Sequence, residues 1–492
     1  MPVSSRSSSL VTACCVLLAA LLVVWLPAFG RKPPPEPAAD AVGYLNIAYH
    51  LAHHQVFADP GTPPTSTPPS GSMVAPLYPA LLAGMMRTDA VFDQHVDCFL
   101  HRFYAATDQA ALAVACDGVP PEATVTPKGW GHSLTILRLF MALGLALVWL
   151  GARRLGLSRP AAGVAFVLAA VSGAYGEYGQ QYLTEGLTLP LGTLVSLLLV
   201  EGCRALGAPA SCKRVLLWWL VAGAAFGGAA LTRPTFSYVL YLVVLALGGV
   251  ALWRLVRRQP LLPVLLAGAA LVIGYGVVIA PWLWRNHQLF GLTAITGPYG
   301  GYILAQRVAY NAMSAREWLA SLLFWLPDFG DSLARLFFPA DLLARLDWYS
   351  PDAYYVLGNG AWMREMLAQA GSKDALQGWV LREKVFTDLP THLAVTISLA
   401  LRGLWVSKYF GLIGAAFWLP SLVGAVRRQQ GLWLAFCAPA IVLLGLQAFV
   451  SVSIPRYNLL VIPCMAIAAA PLLLAWGQCL SRTVCRLFNK KG

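Results

Sequence analysis

Apolar runs near twenty residues recur along this chain, and no other feature restricts its fold as much. A helix rising 1.5 Å per residue needs about 20 residues to cross roughly 30 Å of hydrocarbon. Runs of that kind cover residues 11–29, 134–150, 161–174, 187–200, 215–231, 236–252, 262–282, 410–426, 432–450 and 459–476. With 58% hydrophobic and 12% charged residues and a mean hydropathy of +0.64, a water-soluble domain would have too little polar surface to hide the remainder. The expected fold class is all-α, a polytopic transmembrane helix bundle of about ten spans. Residues 1–30 would hold a cytoplasmic N-terminus and the first span, 132–282 spans two to seven, 409–478 the last three, and 479–492 a cytoplasmic basic tail.

The formal charge of +13 could suggest a nucleic-acid partner, so the placement of the basic residues matters more than their number. With the N-terminus inside, Arg153, Arg154, Arg159, Arg204, Lys213, Arg214, Arg254, Arg257, Arg258, Arg427 and Arg428 all fall in short cytoplasmic connections. The short outward connections hold almost no basic residues. This is the positive-inside pattern, and it accounts for the basic excess as membrane topology without any nucleic acid. A cleaved signal peptide is the rival reading of the first run. Its length, its weakly basic start and the charge alternation all favour a retained span.

Two outward segments, 31–131 and 283–408, are too long to be simple connectors. Each holds an amphipathic stretch suited to the membrane interface, at 43–53 and 393–406. The proline-rich piece between Asp59 and Ser72 reads as a mobile or extended tether. Of ten cysteines, Cys98 and Cys116 alone share an oxidising loop, which makes them the disulfide candidate.

Chemistry at such a surface needs polar groups at outward helix ends, where Asp40, Glu177 and Glu185 are the nearest carboxylates. Asp40 opens a stretch with helical apolar spacing, so an N-cap is its plain alternative. For Glu185 the plain reading is a first-turn carboxylate complementing the helix dipole, and for Glu177 a solvated surface charge. Helices that run inward present positive N-terminal ends to the outer surface, and Arg233-Pro234 and Pro455-Arg456 mark two such starts, with Arg285 a third outward cation. Guanidinium suits phosphate, although these arginines could equally snorkel to lipid headgroups. His50, His53 and His54 share a helix face and could ligate a metal or simply be the polar side of an interfacial helix.

The series Asp40, Tyr44, Ala48, Leu51, then Pro76, Tyr78, Pro79 and Ala83, resembles the first outward loop of the GT-C class of polytopic glycosyltransferases. The nearest resemblance is to bacterial relatives of protein O-mannosyltransferases and of the lipid A aminoarabinose transferase. Further pieces follow in order: Leu137-Arg138, Thr184-Glu185-Gly186, Thr232-Arg233-Pro234, Pro281 to Asn286, and Pro455-Arg456-Tyr457 with Pro463. The resemblance implies an inverting transfer of sugar from a polyprenyl-phosphate donor to a lipid, glycan or protein acceptor, on the extracytoplasmic face of a bacterial cytoplasmic (inner) membrane, with both termini cytoplasmic. It assigns Asp40 as general base or metal ligand, with Glu185 assisting, and Tyr44, Tyr78, Arg233, Arg285 and Arg456 as substrate-binding groups. A divalent cation, Mg or Mn, is the cofactor such a class would use. Ala41 stands where many protein mannosyltransferases carry a second acid, and Ala75 where aminoarabinose transferases often have a basic residue, so sugar and acceptor are left open. A polysaccharide polymerase or ligase, or a transporter or flippase of a lipid-linked or anionic solute, would use similar loops and arginines.

Overall fold

The structure is a computed structural model that describes residues 12, 14–25, 39–104, 109–119, 130–207 and 212–488, the side chains of 39, 109 and 480–488 excepted. Among the described residues every regular element is helical. Eight of the described helices are long and apolar enough to cross a membrane, so the protein is a multi-pass membrane protein of the expected all-α class. The chain divides into two compact units.

The first unit comprises Met1–Ile295, Ser421–Phe436 and Pro463–Gly492. It begins with a short apolar helix, α1 (Cys14–Trp25). Three helices, α2 (Ala39–His53), α3 (Leu77–Thr88) and α4 (Ala90–Tyr104), and the short α5 (Gln109–Ala115) then lie within residues 31–131. The spans α6 (Ser133–Arg154), α9 (Glu185–Gly207), α10 (Cys212–Thr232), α11 (Thr235–Val256) and α12 (Leu262–Phe290) follow, with α7 (Arg159–Val171) and α8 (Ala174–Tyr178) between the first two. One of the ten expected spans, at 161–174, is shorter than foreseen. Helix α7 has 13 residues, which at 1.5 Å each is about 20 Å and less than a bilayer core. For the run at 11–29, residues outside 12 and 14–25 lie beyond the described ones.

Helices α2, α3 and α4 share a core with α6 and the start of α9, built on Leu45, Tyr78, Leu82, Phe92, Trp130, Leu137 and Tyr182. Tyr182 stacks with both Phe92 (5.5 Å) and Trp130 (5.6 Å), and its hydroxyl meets Ser133 Oγ at 2.7 Å. Among the described residues, segment 31–131 is thus a packed cap rather than a loose loop. Helices α10 and α12 meet backbone to backbone: a Cβ on Gly223 would stand 2.1 Å from the Leu271 carbonyl oxygen, and one on Gly274 2.1 Å from that of Leu220. In a membrane, where lipid is as apolar as leucine, such close approach is a main source of helix association. The disulfide between Cys98 and Cys116 is present and ties α4 to the residue after α5.

The second unit comprises Thr296–Pro420 and Cys437–Ile462. Here α13 (Tyr299–Val308), α14 (Ala315–Phe324), α15 (Gly330–Ala334), α16 (Ala340–Ala344), α17 (Tyr354–Asn359), α18 (Ala361–Ala370), α19 (Lys373–Val380) and α20 (Leu389–Leu404) lie within residues 283–408. Parts of the spans α21 (Tyr409–Arg427) and α22 (Gly431–Val450) also belong to it, and α23 (Val461–Phe488) closes the chain. What the sequence suggests as a loop with interfacial helices folds around two cores of its own. A capping box starts α14, with Ser314 and Glu317 exchanging hydrogen bonds, and Glu317 also receives Tyr354 Oη at 3.0 Å and Arg345 Nη1 at 2.9 Å. The fully buried Arg307 donates to the carbonyls of Ala448 (2.7 Å) and His392 (3.1 Å) and to Asn311 (2.9 Å). Burial and the adjacent Arg307 charge pull His392 down to about 4, so its ring is neutral at pH 7.

Candidate functional site

The beginning of α2 supplies Asp40 and, one turn on, Tyr44, so both side chains lie on one helix face. Asp40 is exposed and Tyr44 half-buried. The residues opposite come from two connections between spans, Thr184 and Glu185 where α9 starts and Arg233 between α10 and α11. Arg233 Nη2 lies 2.9 Å from Glu185 Oε1 and 3.5 Å from Thr184 Oγ1. The pair is enclosed, with side-chain exposures of 16% for Arg233 and 3% for Glu185, which makes it a buried ion pair rather than a surface one.

Tyr44 joins the two halves. Burial pushes its hydroxyl well above the ordinary tyrosine value, and the negative charges of Glu185 and Asp40 push the same way against Arg233 and a hydrogen bond with Thr184. The phenol therefore stays protonated across the physiological range. Its ring meets Tyr78 edge to face at 5.4 Å, an arrangement the aromatic quadrupoles favour. Tyr78 is fully buried, and burial raises its hydroxyl too.

Five of the residues named from the sequence, Asp40, Tyr44, Tyr78, Glu185 and Arg233, are thus brought together. Thr184 is a sixth member that sequence reading missed; the only signal was its position beside Glu185. Glu185 differs in kind from the expectation. It lies beneath the surface as the partner of Arg233, while Asp40 is the carboxylate open to solvent.

Arg285 is placed elsewhere in the first unit. Its Nη1 donates to the Gly71 carbonyl at 2.9 Å and to Asn286 Oδ1 at 2.9 Å, its Nη2 to the Phe57 carbonyl at 3.2 Å, and its guanidinium covers the Trp282 ring at 4.5 Å. A phosphate would have to displace those bonds, so the structure gives Arg285 the work of fastening the proline-rich piece. That piece is pinned further. Asp59 Oδ1 accepts from the backbone of Ser72 (2.9 Å) and Met73 (2.8 Å), and Asn46 bridges Gly61 and Thr62. Position 71 must be glycine, because a Cβ there would fall 2.2 Å from the Asp59 nitrogen. The expected mobile tether is an irregular segment held at both ends. Arg456 belongs to the second unit, in the turn Pro455–Asn458, with its guanidinium 5.4 Å from the Tyr457 ring centre. Arg138, on α6, covers the Trp25 ring at 5.8 Å, and Glu177 is exposed.

The histidines on α2 have structural partners. His53 Nε2 meets Asp93 Oδ1 at 2.8 Å, and His50 Nε2 the Thr62 carbonyl at 3.1 Å. Among the described residues no three His, Cys, Asp or Glu side chains are grouped to hold a metal ion. Near Asp40 the second carboxylate, Glu185, is paired with Arg233, which leaves Asp40 as the carboxylate that a Mg or Mn ion would meet there.

No family model matches the sequence, and no curated protein matches it. The chain is similar to the apo crystal structure of ArnT from Cupriavidus metallidurans, at 12% identity and a TM-score of 0.32, over 94% of this chain and 78% of that one. A likeness that slight settles neither fold nor chemistry. The membrane assignment rests on the helices, and any chemistry rests on the cluster around Asp40.

Proposed function

We infer that this protein is a membrane glycosyltransferase, moving a sugar from a polyprenyl-phosphate donor to an envelope lipid, glycan or protein. The reaction takes place at the extracytoplasmic face of a bacterial cytoplasmic membrane, with both chain termini in the cytoplasm. The observation that carries the reading is the gathering of Asp40, Tyr44, Thr184, Glu185 and Arg233 at helix ends, an exposed carboxylate beside a held guanidinium.

In this reading Asp40 takes the proton of the acceptor hydroxyl as that oxygen attacks the anomeric carbon from the face opposite the phosphate. The carbon–oxygen bond to the phosphate breaks, its electron pair stays on the phosphate oxygen, and the sugar inverts. Arg233 stabilises the charge that develops there, and the protonated Tyr44 hydroxyl donates a hydrogen bond. Glu185 acts as a positioning residue that keeps the guanidinium at the site. No step is routed through a metal ion.

The test is transfer from a polyprenyl-phosphate monosaccharide by purified protein in lipid. Asp40→Asn should lower turnover by at least about a hundredfold while membrane abundance is unchanged. Near-normal turnover removes Asp40 from the chemistry. Failure of the wild type to consume any such monosaccharide donor moves the assignment to a polymerase or ligase of whole glycans. Mass spectrometry of envelope lipids, glycans and proteins with and without the gene then names donor and acceptor.

A further inference from the structure

The far end of α9 holds a cluster that the transfer reaction does not use. A cavity of about 390 Å³ opens among Arg154, Glu201, Arg204, Ala205, Arg214 and Trp218. Its arginines come from three different spans: Arg154 ends α6, Arg204 lies in the last turn of α9, and Arg214 in the first turn of α10. Glu201 Oε1 stands 3.5 Å from Arg154 Nη1 and 3.3 Å from Arg204 Nη1, and Arg204 Nη2 donates to the Arg154 carbonyl.

Three guanidinium groups around one carboxylate leave a surplus of two positive charges in the lining. Glu201 is 11% exposed, whereas Arg154 and Arg204 are 48% and 35% exposed, so the carboxylate lies behind the arginines and orients them toward the opening. A guanidinium fork matches the oxygens of a phosphate better than any other side chain. The position of the cavity separates a lipid from a dissolved ion. It lies at the ends of spanning helices, beside Trp218, an aromatic type favoured at headgroup level, and α10 continues into the bilayer with the exposed Leu217 and Leu220, 58% and 42% accessible. An acyl chain would run along those leucines.

We propose that this cavity binds the phosphate of an anionic phospholipid headgroup, with Arg154, Arg204 and Arg214 as its ligands and Glu201 positioning two of them. The binding is independent of the transferase reading, since none of these residues belongs to the Asp40 cluster.

The full-length protein, freed of bound lipid in detergent, is incubated with equal amounts of phosphatidylglycerol and phosphatidylcholine, and retained lipid is read by native mass spectrometry. The wild type should retain phosphatidylglycerol in preference. Arg214→Gln, a change at an exposed side chain, should lower that preference about fivefold, the effect expected of one arginine at a membrane surface. Arg154→Gln with Arg214→Gln should lower it further. Glu201→Gln, which keeps all three guanidinium groups, should raise it. Equal preference in the wild type and both arginine variants overturns the proposal. A parallel arm adds inorganic phosphate alone and follows thermal unfolding. If phosphate protects the wild type but not Arg214→Gln, and no lipid preference is seen, the ligand is a dissolved phosphate and the lipid assignment fails.

Discussion

Helix α9 carries a carboxylate near each end, and each meets arginine, yet the two ends are built for opposite purposes. Glu185 is 3% exposed and holds the single, largely enclosed Arg233 at 2.9 Å. Glu201 is 11% exposed and faces two arginines that are one-third to one-half open, with a third, Arg214, in the same lining. At the first end charge is balanced inside the protein, and a neighbouring acid, Asp40, is left at the surface. At the second end positive charge is in excess and open. The same pair of residue types therefore fixes one guanidinium in place where it is buried, and leaves several guanidinium groups open to an anion where the carboxylate is outnumbered.

The sharpest way to break this contrast is through activity. Asp40→Asn should remove transfer by about two to four orders of magnitude, while Arg214→Gln leaves it unchanged, as measured by donor consumption. Equal losses would mean that the two ends work as one. Stability separates the ends next. Glu185→Ala strands a buried guanidinium and should lower unfolding stability by about 3–5 kcal/mol, whereas Glu201→Ala, among solvent-screened partners, should change it by about 1 kcal/mol or less. Thermal unfolding of both variants in one detergent compares them directly.

The cap over the Asp40 end offers two finer tests. Opening the Cys98–Cys116 bridge by a double serine change should reduce stability by about 3 kcal/mol in the chain-entropy model and leave the lipid preference of the Glu201 end as it was. Maleimide labelling of unreduced, denatured wild type should show neither thiol. The smallest effect concerns pH. The hydrogen bond to Asp93 raises His53 above 6.5, so its contribution to stability is complete below that value and is lost as pH rises through the folded-state pKa. Burial lowers His50, which works the other way: its contribution is present above 6.5 and is lost as pH falls through the folded-state pKa. His53→Gln should therefore flatten the fall in melting temperature on the alkaline side of this window, seen by scanning both proteins from mildly acidic to mildly alkaline pH.

Much of the architecture was readable because bilayer thickness demands a fixed length of apolar chain. Eight of the ten runs are long spanning helices. The run at 161–174 misled because only small residues, Ser172, Gly173 and Ala174, follow Val171, where α7 ends, and composition carries no record of that break. The grouping of Asp40 with Tyr44 was legible as a one-turn spacing, and the nearness of Glu185 to Arg233 only through the order of span ends. The binding of Arg285 to Gly71 was not legible at all. The two lie 214 positions apart, and the acceptor is a backbone carbonyl, which every residue possesses. The segment 283–408 was underestimated for a related reason: its helices are short and mixed in polarity, and they gain their order by packing on one another.

The proline-rich stretch after Phe57 has a practical use that follows from the way it is anchored. Because Gly71 N closes on the Phe57 carbonyl at 2.7 Å, with Asp59 and Arg285 fixing the same points, the residues in between form a closed bight whose roots do not depend on its length. A short epitope spliced into its tip should be tolerated, and antibody binding to intact spheroplasts would then report which side of the membrane this face of the protein occupies.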